Sequence, residues 1–236
     1  MFQARRSSDQ ATQDFFAHDD GTFWSTPGAM GQPIGPWLNG ATAYCAKWYD
    51  QSGAGNHAGQ TNPALQPVVD YVNFLMDFTA QAGTCYLNLP TGTVPQKVAY
   101  TVTARHGVIN NPSGGWFGGG NTSSNLANNF RRSNLAYTNY WWSNDFAAGA
   151  YAPGNTVTFK YDGSSRVYLY TNGAPITSRV MKTGWDGRAG NEFLGRTIYG
   201  GDLPLNGVLY FVCAFKSALT DDKRSAIEAG IYGKLR

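Results

Sequence analysis

The stretch TVTFKYDGSSRVYLYTNG, residues 156–173, has the pattern of an antiparallel β-hairpin. Polar and apolar side chains alternate in the runs Thr156–Tyr161 and Arg166–Thr171, as is typical of strands with one buried face. An Asp-Gly dipeptide at 162–163 joins the two runs, and an Asn-Gly dipeptide at 172–173 ends the second. Because both dipeptides adopt positive φ angles at low cost, each predicts a tight turn.

Further strand signals lie on both sides of this hairpin. Residues 97–105 form a β-branched run typical of a half-buried strand, and residues 208–215 are apolar on both faces, which predicts a strand deep inside the fold. Residues 114–129 are rich in Gly, Asn and Ser and predict a long loop. Together the signals predict one all-β domain over residues 1–236, a two-sheet antiparallel jelly-roll sandwich.

Helical periodicity is nearly absent until the C-terminal segment, where residues 220–233 predict one short helix. Thr220 is suited to cap its start, acidic side chains stand in its first turn, and basic side chains stand near its end. An apolar stripe along Ile227, Ile231 and Leu235 predicts that the helix packs on the sheet edge.

The composition argues against several classes of function. The net charge of +3 is too small and too scattered for a nucleic-acid surface. No apolar run reaches the length of a membrane span, so we expect no membrane insertion. The first residues lack the apolar core of a signal peptide, and we expect an excised domain or a truncated homologue.

The three cysteines, Cys45, Cys85 and Cys213, are odd in number and widely spaced, which fits neither a disulfide framework nor a metal site. Cys213 lies in the apolar run 208–215 and is expected to be a buried, unpaired thiol. A pair between Cys45 and Cys85 is the alternative to free thiols in the core. We expect no cofactor and no metal.

Three stretches resemble laminin G-like, concanavalin A-like domains. They are WYDQSGAGNH at 48–57 preceded by RRSSD at 5–9, the hairpin residues 159–163 and 168–173, and residues 205–215 followed by 218–222 and the C-terminal helix. The first stretch is similar to the catalytic domain of fungal α-L-arabinofuranosidases. It also resembles lectin-like domains of large DNA viruses and of bacterial surfaces, and segments between residues 105 and 142 look most like the viral versions. The resemblance implies a concanavalin A-like sandwich.

The arabinofuranosidase resemblance implies a retaining mechanism, which needs two carboxyl groups about 5–5.5 Å apart. The nucleophile of that family is a Glu in a Gly-rich, Cys-bearing loop, but the matching residues 116–124 contain neither a carboxylate nor a cysteine. The acid/base is the Asp of a Gly-Gly-Asp segment, which Asp202 matches. We therefore expect no appreciable glycosidase turnover, and the carboxylates that would rescue it are Asp202, Glu192 and Asp145.

Within the stretch 48–57, Asp50 precedes Gln-Ser-Gly, and an Asp at such a place bonds the backbone of its own turn. The alternative, a metal ligand together with His57, has no supporting ligand cluster. We therefore expect a structural role for Asp50.

A dense aromatic segment at 137–142 is followed at once by amide and carboxylate side chains. Exposed Trp or Tyr rings stack on the apolar face of a sugar, while Asn and Asp bond its hydroxyl rim. The predicted ligand contacts are Trp141, Trp142, Asn144, Asp145 and His106. The alternative is that Tyr140 and Trp142 alternate into the core while Trp141 points out, and that His106 is structural.

Three functions are compatible with this fold, because sandwiches host binding, structural and catalytic roles. The first is a non-catalytic, lectin-like carbohydrate-binding domain of a surface or virion protein. The second is a structural or assembly module of a viral particle, such as a minor capsid or spike protein. The third is a diverged arabinofuranosidase-like glycosidase. The expected partners are a glycan or other surface or capsid proteins, and the expected location is extracellular, on a virion or a cell.

Overall fold

The computed structural model describes residues 1–18, 21–28, 31–120, 127–141, 145–181, 190–198 and 203–234. Strands make up 49% of the chain and helices 10%, which confirms the all-β prediction. The strands are β1 Phe2–Arg6, β2 Thr12–Ala17, β3 Phe23–Trp24, β4 Ala43–Trp48, β5 Ala58–Gly59, β6 Val68–Asp70, β7 Leu75–Asp77, β8 Leu87–Leu89, β9 Tyr100–Ile109, β10 Gly115–Gly120, β11 Ala127–Ser133, β12 Ala136–Tyr140, β13 Phe146–Ala150, β14 Thr156–Tyr161, β15 Arg166–Thr171, β16 Ala174–Val180, β17 Asn191–Leu194, β18 Arg196–Thr197, β19 Leu203–Pro204 and β20 Gly207–Phe215. The helices are α1 Ile34–Leu38, α2 Ala80–Gly83 and α3 Asp221–Lys234, with a 3-10 turn at Pro63–Leu65.

Eighteen of the described strands form one antiparallel sheet that curls into two facing layers, and β18 and β19 form a separate two-stranded sheet. The first layer has the order β16, β15, β14, β9, β20, β7. The second layer has the order β13, β12, β11, β10, β17, β8, and strands β4, β5 and β6 connect the layers along one side. The core lies between them: the ring of Phe159 in β14 is 5.7 Å from Phe130 in β11 and 6.2 Å from Phe146 in β13.

The hairpin predicted at 156–173 is confirmed, with strand bounds as expected. Asn172 and Gly173 have φ angles of 51° and 83°, and they form the two-residue turn into β16. In the first turn the carboxylate of Asp162 accepts the backbone N–H of Ser164 and Ser165, both at 2.8 Å. Local side-chain chemistry therefore determines both turns.

The loop predicted at 114–129 is wrong for residues 115–120 and 127–129, which belong to the paired strands β10 and β11, and residues 121–126 lie outside the described residues. Glycine is needed in β10 for packing. A Cβ at Gly118 would overlap the amide of Asn129, and one at Gly119 would overlap the side chain of Glu192. Missing side chains here make room for large neighbours on adjacent strands.

Strand β20 is less buried than predicted. Leu209 is fully enclosed, but most of the strand is only half-buried, and so is Cys213. The reason is that Cys213 lies opposite Thr103 on the outer face of the first layer, whereas Val212 pairs with the core residue Ala104. All three cysteines are free thiols, as expected.

Thiol labelling of the native protein is expected to modify Cys213 slowly and to leave Cys45 and Cys85 untouched. Cys45 and Cys85 have no exposed surface, and burial raises the pKa of the Cys213 thiol, which lowers its reactive thiolate fraction. Counting modified thiols by mass spectrometry checks this. Labelling of all three without denaturant, or of none, would contradict the placement of Cys213 on the outer face and of Cys45 and Cys85 in the core.

The C-terminal helix forms where predicted but packs differently. Within residues 221–230 its buried residues are Arg224 and Glu228, while Ile227 is only half-buried. The side chains of Ile231 and Leu235 lie outside the described residues. The helix lies on the outer face of the first layer, because Glu228 accepts a hydrogen bond from Thr158 of β14 at 2.6 Å. None of the described helices has the length and apolarity needed to cross a membrane.

Candidate ligand-binding site

The outer face of the second layer carries the candidate site, at the strands β10, β11 and β12. Residues paired across antiparallel strands share a face. Phe117 pairs with Phe130, and their rings stack in the core at 5.8 Å. Since side chains alternate along a strand, the neighbouring pair of Gly118 and Asn129 points outward.

One side of this face is apolar. Phe193 of β17 pairs with Gly118, and it forms a small cluster with Ala127 and Ile198. The ring of Tyr86 packs edge-on against Phe193 at 5.4 Å. The amide of Asn129 occupies the space that a side chain at Gly118 would fill, and it lies beside this apolar wall.

The other side is polar. Four side-chain atoms there are buried and find no hydrogen-bond partner in the part of the chain that the structure describes. We call their residues the polar patch: Asn129 through Nδ2, Thr138 through Oγ1, Thr197 through Oγ1 and Asp145 through Oδ1. Such an atom costs about 1–3 kcal/mol when left unbonded, so native proteins satisfy nearly all of them. The polar patch therefore has unused bonding capacity for a ligand or for water.

The patch residues come together through strand register. Arg131 and Thr138 are paired across β11 and β12, on the same face as Asn129. The backbone N–H of Ile198 donates to Oδ1 of Asn129 at 3.3 Å, which brings Thr197 over β10. Four separate strands or strand ends thus contribute to the patch.

Asp145 is the acidic member of the patch. It directly precedes β13, where Phe146 faces the core, so Asp145 faces outward. Burial raises the pKa of its carboxyl group, and this effect exceeds the opposite effect of the nearby Arg131 and Arg179. Arg179 also donates to its backbone oxygen. A partly desolvated carboxylate with an unbonded oxygen is a strong acceptor for a ligand hydroxyl.

The aromatic residues predicted to contact ligand are placed differently. Trp141 is 1% exposed, packs edge-on against Tyr161 at 5.0 Å, and donates from Nε1 to Asn128 at 3.1 Å. The predicted outward orientation of Trp141 is wrong, because β12 pairs with β11 in the register that turns Asn139 and Trp141 toward the core. Trp142, Asn144 and the side chain of Tyr140 lie outside the described residues.

His106 is a core residue in β9, away from the polar patch. Its Nε2 lies 3.1 Å from the hydroxyl of Tyr137 and its Nδ1 lies 2.7 Å from the Gly107 carbonyl. The ring stacks between Trp116 and Tyr151. Burial lowers its pKa to about 4. The position of His106 therefore agrees with a structural role rather than with ligand contact.

The candidate catalytic carboxylates do not form a pair among the described residues. Glu192 faces the core and is 2% exposed, and its carboxylate accepts the backbone N–H of Gly92 at 2.7 Å and of Val94 at 2.6 Å. Burial raises the pKa of this carboxyl group. Glu192 thus anchors the loop after β8, whereas Asp145 faces outward. Asp202 lies outside the described residues.

The turn at 48–57 has the structural role predicted for Asp50. The carboxylate of Asp50 accepts the backbone N–H of Ser52 at 2.8 Å and of Asn56 at 3.0 Å. The ring nitrogen Nδ1 of His57 accepts the backbone N–H of Asp50 at 3.1 Å. Within the described ranges, no group of three or more His, Cys, Asp or Glu side chains is arranged to hold a metal ion.

A cavity of about 300 Å³ lies near β1, β7 and β20. Its walls are almost entirely apolar and include Phe23, Trp48, Phe74 and Tyr210. No member of the polar patch lies in it. The outer face of the second layer therefore has the better chemistry for orienting a polar ligand.

Sequence reasoning found Asp145 but missed Asn129, Thr138 and Thr197. The available signal was the glycine run at 118–120, because consecutive glycines in a strand mark a close approach of another group. Read as a strand rather than a loop, the run would have indicated that large side chains of neighbouring strands, such as Asn129, lie over these glycines.

No known protein family and no curated protein matches the sequence. Solved structures do match the fold. One is a mutant GH54 α-L-arabinofuranosidase soaked with 4-nitrophenyl α-L-arabinofuranoside, with a TM-score of 0.65 and 16% identity, over 99% of this chain and 59% of that chain. Another is a Trypanosoma rangeli sialidase in complex with 2,3-difluoro-KDN, with a TM-score of 0.54 and 11% identity, over 80% of this chain and 31% of that chain.

A weaker likeness, with a TM-score of 0.46 and 17% identity, is to the CBM40 module of a Ruminococcus gnavus sialidase bound to α2,3-sialyllactose, over 64% of this chain and 90% of that chain. This chain spans 59% of the length of the arabinofuranosidase that it matches. At these identities the likeness concerns the fold alone. The chain therefore shares the antiparallel β-sandwich fold of the arabinofuranosidase that it matches.

Proposed function

We propose that this chain is a non-catalytic carbohydrate-binding domain of a surface or virion protein, and that it holds a glycan on the polar patch. The observation that supports the proposal most directly is the set of four buried, unbonded polar atoms beside an apolar wall. The match of the whole chain to a carbohydrate-active fold supports it as well. The surface or virion location rests on the resemblance of residues 5–9 and 48–57 to lectin-like domains.

A sugar ring carries hydrogen-bonding groups that match the unbonded atoms of the polar patch, and an apolar face that matches the apolar wall. Its hydroxyl groups both donate and accept, so one hydroxyl bonds the carboxylate of Asp145 and another accepts from the amide of Asn129. The threonine hydroxyls of the patch bond in either direction. The C–H face of the ring packs on the wall around Phe193 and Ile198. Polar groups fix the orientation and the apolar wall contributes contact area.

The affinity of one domain is expected to be weak. The site is small, and a net hydrogen bond contributes only about 1 kcal/mol after desolvation. Several copies on one surface raise the effective affinity by about 10²–10⁴-fold without any new contact. A glycan array should therefore be probed with the domain in a multivalent form.

The test is glycan binding by the wild type and by patch variants. Thr138→Val and Asp145→Asn are each expected to weaken binding about tenfold, since the first removes a hydroxyl and the second replaces a charged acceptor by a weaker neutral one. Asp222→Asn changes an exposed carboxylate on α3 and is the matched control, with unchanged binding. Thermal melting shows that the variants stay folded.

Two outcomes overturn the proposal. Absence of binding across the array favours the assembly module, and unchanged binding by both patch variants places the site elsewhere. A chromogenic arabinoside tests the third hypothesis. A retaining mechanism needs a nucleophilic carboxylate, which the sequence of residues 116–124 lacks, so we expect no turnover. Turnover that is abolished by Asp145→Asn would establish a glycosidase instead.

A further inference from the structure

The outer face of the first layer carries a block of buried threonines. Thr101 and Thr103 of β9 and Thr156 and Thr158 of β14 are each at most 1% exposed, and Thr103 pairs directly with Thr158. A permanently buried sheet face is normally apolar, whereas Thr is typical of a face in contact with water. These threonines are buried because the C-terminal segment covers them: Leu219 donates its backbone N–H to Thr101, and Thr158 donates to Glu228 of α3.

Helix α3 meets this face with polar groups. Among residues 221–230, the part of α3 whose side chains the structure describes, Arg224 and Glu228 are the buried ones, and they form an ion pair of 2.5 Å with each other, one turn apart on the same helix. The sheet contributes the hydroxyl of Thr158, the carbonyl of Gly173 at 3.4 Å and the ring of Tyr170, which lies 3.8 Å from the Arg224 guanidinium. The helix therefore contains its own counterion for each buried charge.

This arrangement lowers the free-energy cost of separating the helix from the sheet. When the helix leaves, the ion pair of Arg224 and Glu228 leaves as a unit, and no unpaired charge stays behind on the threonines. The threonine hydroxyls bond to water once they are exposed. An ion pair at the surface between Lys160 and Asp221, at 3.1 Å, contributes little to the free energy that holds the helix on the sheet. An apolar helix face would lose much more on separation.

We propose that α3 is a releasable cover, which opens from the threonine face while the two-layer sandwich stays folded. Opening exposes a polar surface with the aromatic ring of Tyr170 and the thiol of Cys213, which lies opposite Thr103. This face is on the first layer, so the device is independent of the polar patch on the second layer.

Hydrogen–deuterium exchange of the intact chain tests the proposal. Amides of α3 are expected to exchange through local opening about 100-fold faster than amides of β9 and β14, which open only with the whole sandwich. Thr158→Val removes the hydroxyl that donates to Glu228 and that also bonds the Thr103 hydroxyl of β9. No backbone hydrogen bond of the sheet is lost, so exchange is expected to speed up in α3 while the β9 amides stay unchanged.

A second variant works in the opposite direction. The double substitution Arg224→Met with Glu228→Leu replaces a buried ion pair by apolar side chains, a change that often strengthens packing. Exchange in α3 is expected to slow about tenfold, again without a change in β9. The proposal is overturned if α3 and the strands exchange at one common rate, or if every variant shifts both by the same factor.

Discussion

Replacing Gly119 with alanine is expected to destabilise the domain by about 3 kcal/mol, the upper part of the usual range for overpacking. A Cβ at this position would lie 2.9 Å from the backbone oxygen of Asn191 and closer still to Cγ of Glu192. Neither neighbour has room to move, because β17 is hydrogen-bonded on both sides and the Glu192 carboxylate is held by Gly92 and Val94. Urea unfolding measures the change.

The matched control is Gly230→Ala in α3. A Cβ there meets no atom within 4 Å, and alanine is the better helix former, so a gain of up to about 1 kcal/mol is expected. If Gly119→Ala stays within about 0.5 kcal/mol of the wild type, as an ordinary surface substitution does, the pairing of β10 with β17 is refuted.

Acidification from pH 7 to pH 4 is expected to remove about 3 kcal/mol of stability through His106 alone. The pKa of His106 is lowered in the folded protein from 6.5 to about 4, chiefly because the buried ring disfavours the charged form. As the pH falls through 6.5, the unfolded chain binds a proton before the folded chain does. The contribution is therefore complete above pH 6.5 and is lost progressively down to about pH 4.

The measurement is the free energy of unfolding in urea at steps between pH 7.5 and pH 4 for the wild type and for His106→Phe. Phenylalanine keeps a ring between Trp116 and Tyr151 but does not titrate. All other titrating groups are common to both proteins, so the difference in slope isolates His106. Parallel curves for the two proteins would rule out a neutral, buried His106.

The candidate site was predictable only in part. Asp145 was found because it follows an aromatic segment, a local feature. The inward orientation of Trp141 was not predictable, since the alternation of side chains has two phases and the pairing of β12 with β11 selects one of them. The members of the polar patch come from β11, β12, β18 and the residue before β13, and no local pattern relates them.

The sequence by itself determined the features with local causes. The dipeptides at 162–163 and 172–173 set both turns of the hairpin, the alternating runs set its strands, and the charged ends of residues 221–234 set the helix. Tertiary structure alone decided the rest. Glycines at 118–119 form a strand because neighbouring side chains fill the space above them, and Arg224 and Glu228 are buried because α3 covers a face of threonines. In each case the deciding contact joins residues that are far apart in the chain, and local propensity and periodicity carry no information about such contacts.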